Sequence, residues 1–261
     1  MGKYLGLPLI LLLAAISCDV AIQAGAPALP RLASPRQTPG SIIEFKQLEK
    51  SFTSEGQPIS VELFQPEAAG KYPAVIVLHG EDGMSFGRYP YVHIAAGVAR
   101  AGNVALLVRY FDRTDTAVTR YWTQTQKFAA WRQTVTDAVA YAATLPDVDA
   151  DRIGLVGVSL GASLALAFAA QDARVHAVVD YYGALPDDYA SRLRKMPPVL
   201  ILHGDKDLVV KVDAAYRLEA LLKKNQIPHE MKIYPGEGHE FQRAAVADAL
   251  ARAIAFLRQH L

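Results

Sequence analysis

The sequence contains very little cysteine and almost no net charge. Cys18 is the single cysteine among 261 residues, so the chain cannot form an internal disulfide or a cysteine-ligated zinc site. The formal net charge is +1, and no run of Lys or Arg occurs, which predicts neither a nucleic-acid partner nor docking on an anionic membrane surface. No metal-type Cys/His spacing and no phosphate-binding glycine loop occurs either, so we predict no metal and no cofactor.

The remaining composition is that of an ordinary globular protein. Apolar residues make up 51% of the chain and charged residues 20%. A chain of this length can form one domain with a full core, whereas two domains would be cramped.

The first residues are typical of a targeting segment. Lys3 precedes an apolar stretch, residues 4–16, which has the length of a signal peptide rather than of a membrane span. Cys18 follows at once, in a stretch that resembles a bacterial lipobox, which predicts a lipid anchor on its sulfur. Ordinary secretion with cleavage near Ala24 or Ala26 is the alternative. Either reading predicts an exported protein of the bacterial cell envelope.

Composition divides the chain into three parts. We expect a signal peptide at residues 1–18, a linker at 19–40 that is rich in Pro and Ala, and a folded domain at 41–261. From residue 74 onward, continuous apolar runs alternate with helical patterns, which predicts a mostly parallel sheet with helices on both faces. Two alternating segments before it, 41–48 and 59–64, predict an antiparallel pair of strands. The fold class is therefore α/β.

The stretch from Gly157 to Gly161 carries the strongest functional signal. It reads Gly-Val-Ser-Leu-Gly and lies between an apolar strand pattern and an alanine-rich helical pattern. A serine on such a sharp strand-to-helix turn has its hydroxyl lifted above the sheet, where it can attack a carbonyl carbon. Ser159 is therefore the predicted nucleophile.

An acid and a base follow this serine in the order expected of an α/β hydrolase. Asp207 comes just after an apolar strand pattern, and His239 lies in a glycine-rich loop. The histidine would take the serine proton, and the aspartate would orient the imidazole. Asp205 and Asp180 are rival acids, because both also stand near predicted strand ends.

Two backbone N–H groups are expected to bind the oxyanion that forms during acyl transfer. One belongs to Leu160, the residue after the nucleophile. The other should come from the turn after the first buried strand, where Glu81 is the first choice and Gly80 the alternative.

These motifs resemble those of the dienelactone hydrolase family of α/β hydrolases. The resemblance spans residues 73–258 and rests on the segments 151–161, 203–207 and 238–243. It implies a hydrolase of small esters or lactones that uses neither metal nor cofactor. The best-known members carry cysteine in place of Ser159 and glutamate in place of Gly80. A serine triad without the cysteine-specific activation scheme is therefore predicted here.

The resemblance also suggests substrate-binding residues. Arg243 follows His239 by four residues, as does a carboxylate-binding arginine of the family, and Arg113 stands near the place of a second one. Guanidinium groups would bind a substrate carboxylate through paired hydrogen bonds. Tyr110 could contribute an aromatic wall above Ser159. The alternative is that the arginines are surface residues and the tyrosine belongs to the core.

Two other functions share this pattern. A small serine peptidase or acyl-peptide hydrolase would use the same nucleophile turn, and a hydrolase-like domain could serve as a non-catalytic binding module. The complete set of serine, acid and histidine argues for an enzyme. The sequence does not indicate an oligomeric state.

Overall fold

The computed structural model describes residues 43–261, apart from the side chains of Phe86 and of residues 121–125. The predicted signal peptide, its Cys18 and the linker lie outside the described residues. Within residues 43–261, no helix combines the length and the apolar character needed to cross a bilayer.

Eight strands form the central sheet of the described region. Each of the buried strands is rich in Val, Ile, Leu and Ala, as expected for strands covered on both faces. Their bounds are β1 Phe45–Ser54, β2 Gln57–Pro66, β3 Tyr72–Leu78, β4 Val104–Val108, β5 Val148–Val158, β6 Ala177–Tyr181, β7 Val199–Gly204 and β8 His229–Tyr234.

Helices connect the strands from β3 onward. A short 3-10 helix, Tyr110–Thr114, follows β4. The α-helices are α1 Gly83–Phe86, α2 Arg88–Arg100, α3 Tyr121–Thr144, α4 Leu160–Ala169, α5 Asp187–Ala190, α6 Asp213–Lys224 and α7 Arg243–His260.

The strand order in the sheet is β1-β2-β4-β3-β5-β6-β7-β8. The pairs β1–β2 and β2–β4 are antiparallel, and every later pair is parallel. This confirms the predicted α/β class and its mostly parallel sheet. Since the parallel strands share one direction, the loops after β3, β5, β6, β7 and β8 all emerge at the same edge, where open α/β sheets bind their ligands.

Alternate side chains of each buried strand pack into two separate layers. In β3, Ile76 lies in the core that includes Trp131 of α3 and Leu164 of α4. Its neighbour Val77 lies in the opposite core, which includes Phe256 of α7. Helices therefore cover both faces of the sheet and hold the strand ends in place.

Two strand bounds differ from the sequence expectation. β1 ends at Ser54 rather than near residue 48, because it pairs with β2 along its whole length. β5 begins at Val148, before the apolar run that starts at Ile153. Val148 pairs with Tyr72 of β3 across an irregularity, so a long-range contact decides the outcome there.

Candidate active site

Ser159 lies between the end of β5 and the start of α4, on a strained turn. Its backbone has φ 54° and ψ −115°, a conformation that is costly for a residue with a side chain. The turn leaves no room beside it: a Cβ on Gly157 would lie 2.3 Å from Cα of Ala162, and a Cβ on Gly161 would lie 2.3 Å from the carbonyl oxygen of Leu78. Only glycine permits this approach of strand and helix.

The structure brings the predicted serine, histidine and acid together. Oγ of Ser159 is 2.9 Å from Nε2 of His239, and Nδ1 of the same imidazole is 2.8 Å from Oδ2 of Asp207. The Asp207 side chain is fully buried, whereas that of His239 is 19% exposed. The hydroxyl, the imidazole and the carboxylate thus form one continuous hydrogen-bonded chain.

Asp207 is fixed by further contacts on both of its oxygens. Oδ1 accepts the backbone N–H groups of Val209 and Val210 at 2.8 and 2.9 Å. Oδ2 also lies 3.3 Å from Nε2 of His203, a buried histidine whose Nε2 is 2.8 Å from the carbonyl oxygen of Val210. These contacts hold the carboxylate in one orientation towards His239.

The two rival acids have other contacts. Asp205 accepts the N–H of Gly236 at 2.7 Å and so fastens the turn after β8. Asp180, at the end of β6, accepts the N–H of Gly183 at 2.7 Å. Burial raises the pKa of Asp180 to about 6. Both carboxylates therefore stabilise loops that surround the site.

The turn after β3 is organised by a tyrosine that sequence reasoning missed. The hydroxyl of Tyr91, in α2, accepts the N–H of Gly80 at 3.0 Å and donates to the carboxylate of Asp82. The N–H of Gly80 therefore has a side-chain partner. The carbonyl of the next residue, Glu81, accepts the N–H of Thr119 at 2.9 Å. Buried neighbours at Ile94, Ala95 and Val98 show the helical periodicity that could have marked Tyr91 as an inward-facing residue.

A pocket of about 760 Å³ opens above Ser159 and His239. Its walls come from the turn after β3, from α2, from the ends of β5 and β6, and from the loop around His239. Tyr182 forms part of the wall and packs against the imidazole with ring centroids 4.8 Å apart. Burial raises the pKa of the Tyr182 hydroxyl, with Glu240, Asp207 and Asp82 adding to the effect, so this hydroxyl keeps its proton.

The three predicted substrate-binding side chains do not line this pocket. Arg113 pairs with Glu55 in the hairpin between β1 and β2. Arg243 is exposed at the first residue of α7. Tyr110 is fully buried, stacks on His79 with centroids 4.1 Å apart, and donates to the His79 carbonyl at 2.8 Å. Arg113 and Tyr110 have partners from distant segments of the chain, which motif spacing does not reveal.

The residues of the site do not form a metal centre. Within the described part of the chain, no three His, Cys, Asp or Glu side chains gather in a way that would hold an ion. His239 contacts both Ser159 and Asp207, as described above.

The chain is similar to proteins that are named as hydrolases of lactones. A protein of Bradyrhizobium named "Probable 2-oxo-3-(5-oxofuran-2-ylidene)propanoate lactonase" is 27% identical over 235 residues, which span 80% of this chain and 92% of the relative. Two solved structures share the fold. A dienelactone hydrolase of Anabaena variabilis has 20% identity and a TM-score of 0.66, and covers 83% of this chain and 99% of its own. A dienelactone hydrolase-like promiscuous phosphotriesterase from metagenomic libraries has 17% identity and a TM-score of 0.72, and covers 83% and 98%.

The family profile extends the agreement over most of the folded region. It matches residues 59–261, from within β2 to the last residue, and so includes Ser159, Asp207 and His239. On this match, the chain belongs to the dienelactone hydrolase family.

Proposed function

We propose that the chain is a serine hydrolase that cleaves carboxylic esters or lactones through an acyl-enzyme. The observation that carries the proposal is the hydrogen-bonded chain from Ser159 through His239 to Asp207, at the base of an open pocket. Membership in the dienelactone hydrolase family and the lactonase name of the Bradyrhizobium relative support the ester or lactone class.

In the acylation step, Oγ of Ser159 attacks the carbonyl carbon while Nε2 of His239 takes the hydroxyl proton. Asp207 stabilises the resulting imidazolium through the 2.8 Å contact with Nδ1. The tetrahedral intermediate then expels the alcohol, which receives the proton from Nε2. In a lactone the alcohol remains attached to the acyl group, so ring opening releases no second product.

Deacylation repeats these steps with water. The imidazole takes a proton from the water as its oxygen attacks the acyl carbon, and the same proton returns to Oγ of Ser159 when the acid leaves. Throughout, the oxyanion is bound by the N–H groups of Leu160, at the start of α4, and of Glu81. Gly80 is the weaker candidate for the second donor because Tyr91 already accepts its N–H.

Activity-based labelling tests the proposal directly. A fluorophosphonate probe should label the protein, and the label and the hydrolysis of p-nitrophenyl acetate should both vanish in Ser159→Ala. Ser51→Ala, the same change at an exposed position of β1, should keep both. Acyl-enzyme formation should appear in mass spectra after rapid acid quench as one added acetyl group. Hydrolysis that persists in Ser159→Ala would contradict the proposal, and an unlabelled, inactive protein would favour a non-catalytic binding module.

We also propose that the protein is exported and tethered to the cell envelope. The support is the sequence alone: an apolar segment of signal-peptide length followed by Cys18 and by a linker up to residue 40. Mass spectrometry of the mature N-terminus distinguishes a lipid-modified Cys18 from an unmodified start after Ala24 or Ala26.

A further inference from the structure

The pocket wall carries negative charge from two directions. Asp82 lies on the turn after β3, and Glu240 lies in the loop next to His239. Burial raises the pKa of the Tyr182 hydroxyl, and Glu240, Asp207 and Asp82 raise it further, as expected for carboxylates close to this part of the pocket. A substrate above Ser159 would therefore lie in a negative field.

Within the described part of the chain, no guanidinium or ammonium group lines the pocket to offset this field. Among the described side chains that line the pocket, the only basic groups are the imidazoles of His93 and His239. The nearby Arg88 binds Glu62 of β2 with Nη2 and Oε2 2.6 Å apart. A carboxylate on the substrate would thus meet like charges at Asp82 and Glu240 and no cationic partner on the pocket wall.

The pocket mouth is apolar instead. Three of the large hydrophobic side chains exposed on the described surface line this pocket: Tyr89, Val209 and Val246, which are 81%, 62% and 38% exposed. Leu208, beside Val209, is 89% exposed. Deeper in the pocket, Phe241 packs on Tyr182 with ring centroids 5.0 Å apart. Exposed apolar groups concentrated at one opening are typical of a binding surface for an apolar ligand.

We propose that this site selects an uncharged ester or lactone with an apolar group and rejects substrates that carry a carboxylate. The inference rests on the proposed hydrolase function and adds the substrate class to it. Asp82 and Glu240 set the selection against anions. A cation is not the preferred ligand either, because the apolar mouth at Tyr89, Val209 and Val246 would deprive an ammonium group of its hydration.

Three esters that differ only at the end of the acyl chain test this directly. They are p-nitrophenyl hexanoate, mono-p-nitrophenyl adipate and p-nitrophenyl 6-aminohexanoate. The sixth carbon of the acyl chain is an uncharged methyl group in the hexanoate and the carboxylate carbon in the adipate. In the 6-aminohexanoate it carries an ammonium group. We expect kcat/KM of the wild-type protein to be highest for the hexanoate and lower for the adipate by about tenfold or more.

A matched pair of variants assigns the effect to the pocket. Glu240→Gln removes one negative charge at the wall, and the ratio of hexanoate to adipate kcat/KM should fall about threefold or more. Glu230→Gln removes the same charge from an exposed position at the amino end of β8, whereas the site lies at the carboxyl ends of the parallel strands. This control should leave the ratio unchanged.

The outcomes separate this inference from the function on which it rests. Three outcomes would overturn the proposed selectivity but leave the hydrolase function standing. They are a smaller preference for the hexanoate, a preference for either charged ester, and an unchanged ratio of hexanoate to adipate kcat/KM in Glu240→Gln. A protein that cleaves none of the three esters, nor p-nitrophenyl acetate, would overturn the proposed function and the selectivity together.

Discussion

Replacing Tyr91 by phenylalanine removes the hydroxyl that joins the turn after β3 to α2. Tyr91 is 4% exposed although it borders the pocket, so only a water molecule in the pocket could replace the lost group in part. The N–H of Gly80 would lose its acceptor and Asp82 would lose a donor. A buried polar group left without its partner costs about 1–3 kcal/mol, and in a domain of this size each kcal/mol lowers Tm by about 2–4 °C. We expect Tyr91→Phe to unfold about 2–12 °C below the wild type.

The same change should also affect turnover, because the turn carries the proposed second oxyanion donor, the N–H of Glu81. A small displacement of a group that acts on the transition state can lower kcat by up to about a hundredfold. KM should change much less, since the apolar pocket wall is retained. Thermal unfolding and ester kinetics measure the two effects, with Tyr216→Phe, 46% exposed on α6, as the control. If Tyr91→Phe matched the wild type in both assays, the proposed role of the hydroxyl would be refuted.

Three further predictions concern the acid, pH and the N-terminus. Asp207→Asn should lower kcat by about 10⁴, whereas Asp180→Asn should retain most of it, and the reverse order would make Asp180 the acid. Burial lowers the pKa of His79 from 6.5 to about 4, so the unfolded chain gains a proton first as pH falls between these values. About 3 kcal/mol of stability should be lost over that range. Urea unfolding at pH 7.5 and pH 4 should show a smaller loss in His79→Asn, and an equal loss would contradict the assignment. Cys18→Ser should abolish lipid attachment, and mass spectra that show no lipid on the wild type would exclude the anchor.

The elements of the fold could be predicted because local patterns decide them. The buried strand at Ala74–Leu78 and the helical pattern after Ser159 appear in the structure within a few residues of their expected bounds. The proximity of Ser159, Asp207 and His239 also followed from sequence, since each lies in a loop that leaves the same edge of a parallel sheet.

The substrate side of the site could not be predicted in this way. Arg113 reaches Glu55, which lies 58 positions earlier in the chain, and no motif records that pairing. Similarly, the pocket wall is negatively charged because Asp82 and Glu240 belong to loops that are distant in sequence but adjacent in space. Spacing within a motif indicates which groups can react, whereas selectivity depends on contacts between loops.

The two edge strands of the sheet have a consequence for how the protein behaves at high concentration. β1 and β8 each have one side without a strand partner in the described region, and such sides can pair with other chains and start aggregation. β1 carries Lys46, Glu49 and Lys50 at exposed positions, and β8 carries Glu230 and the partly exposed Lys232. Pairing of two copies along either edge would desolvate these charges, so the edges themselves oppose sheet extension.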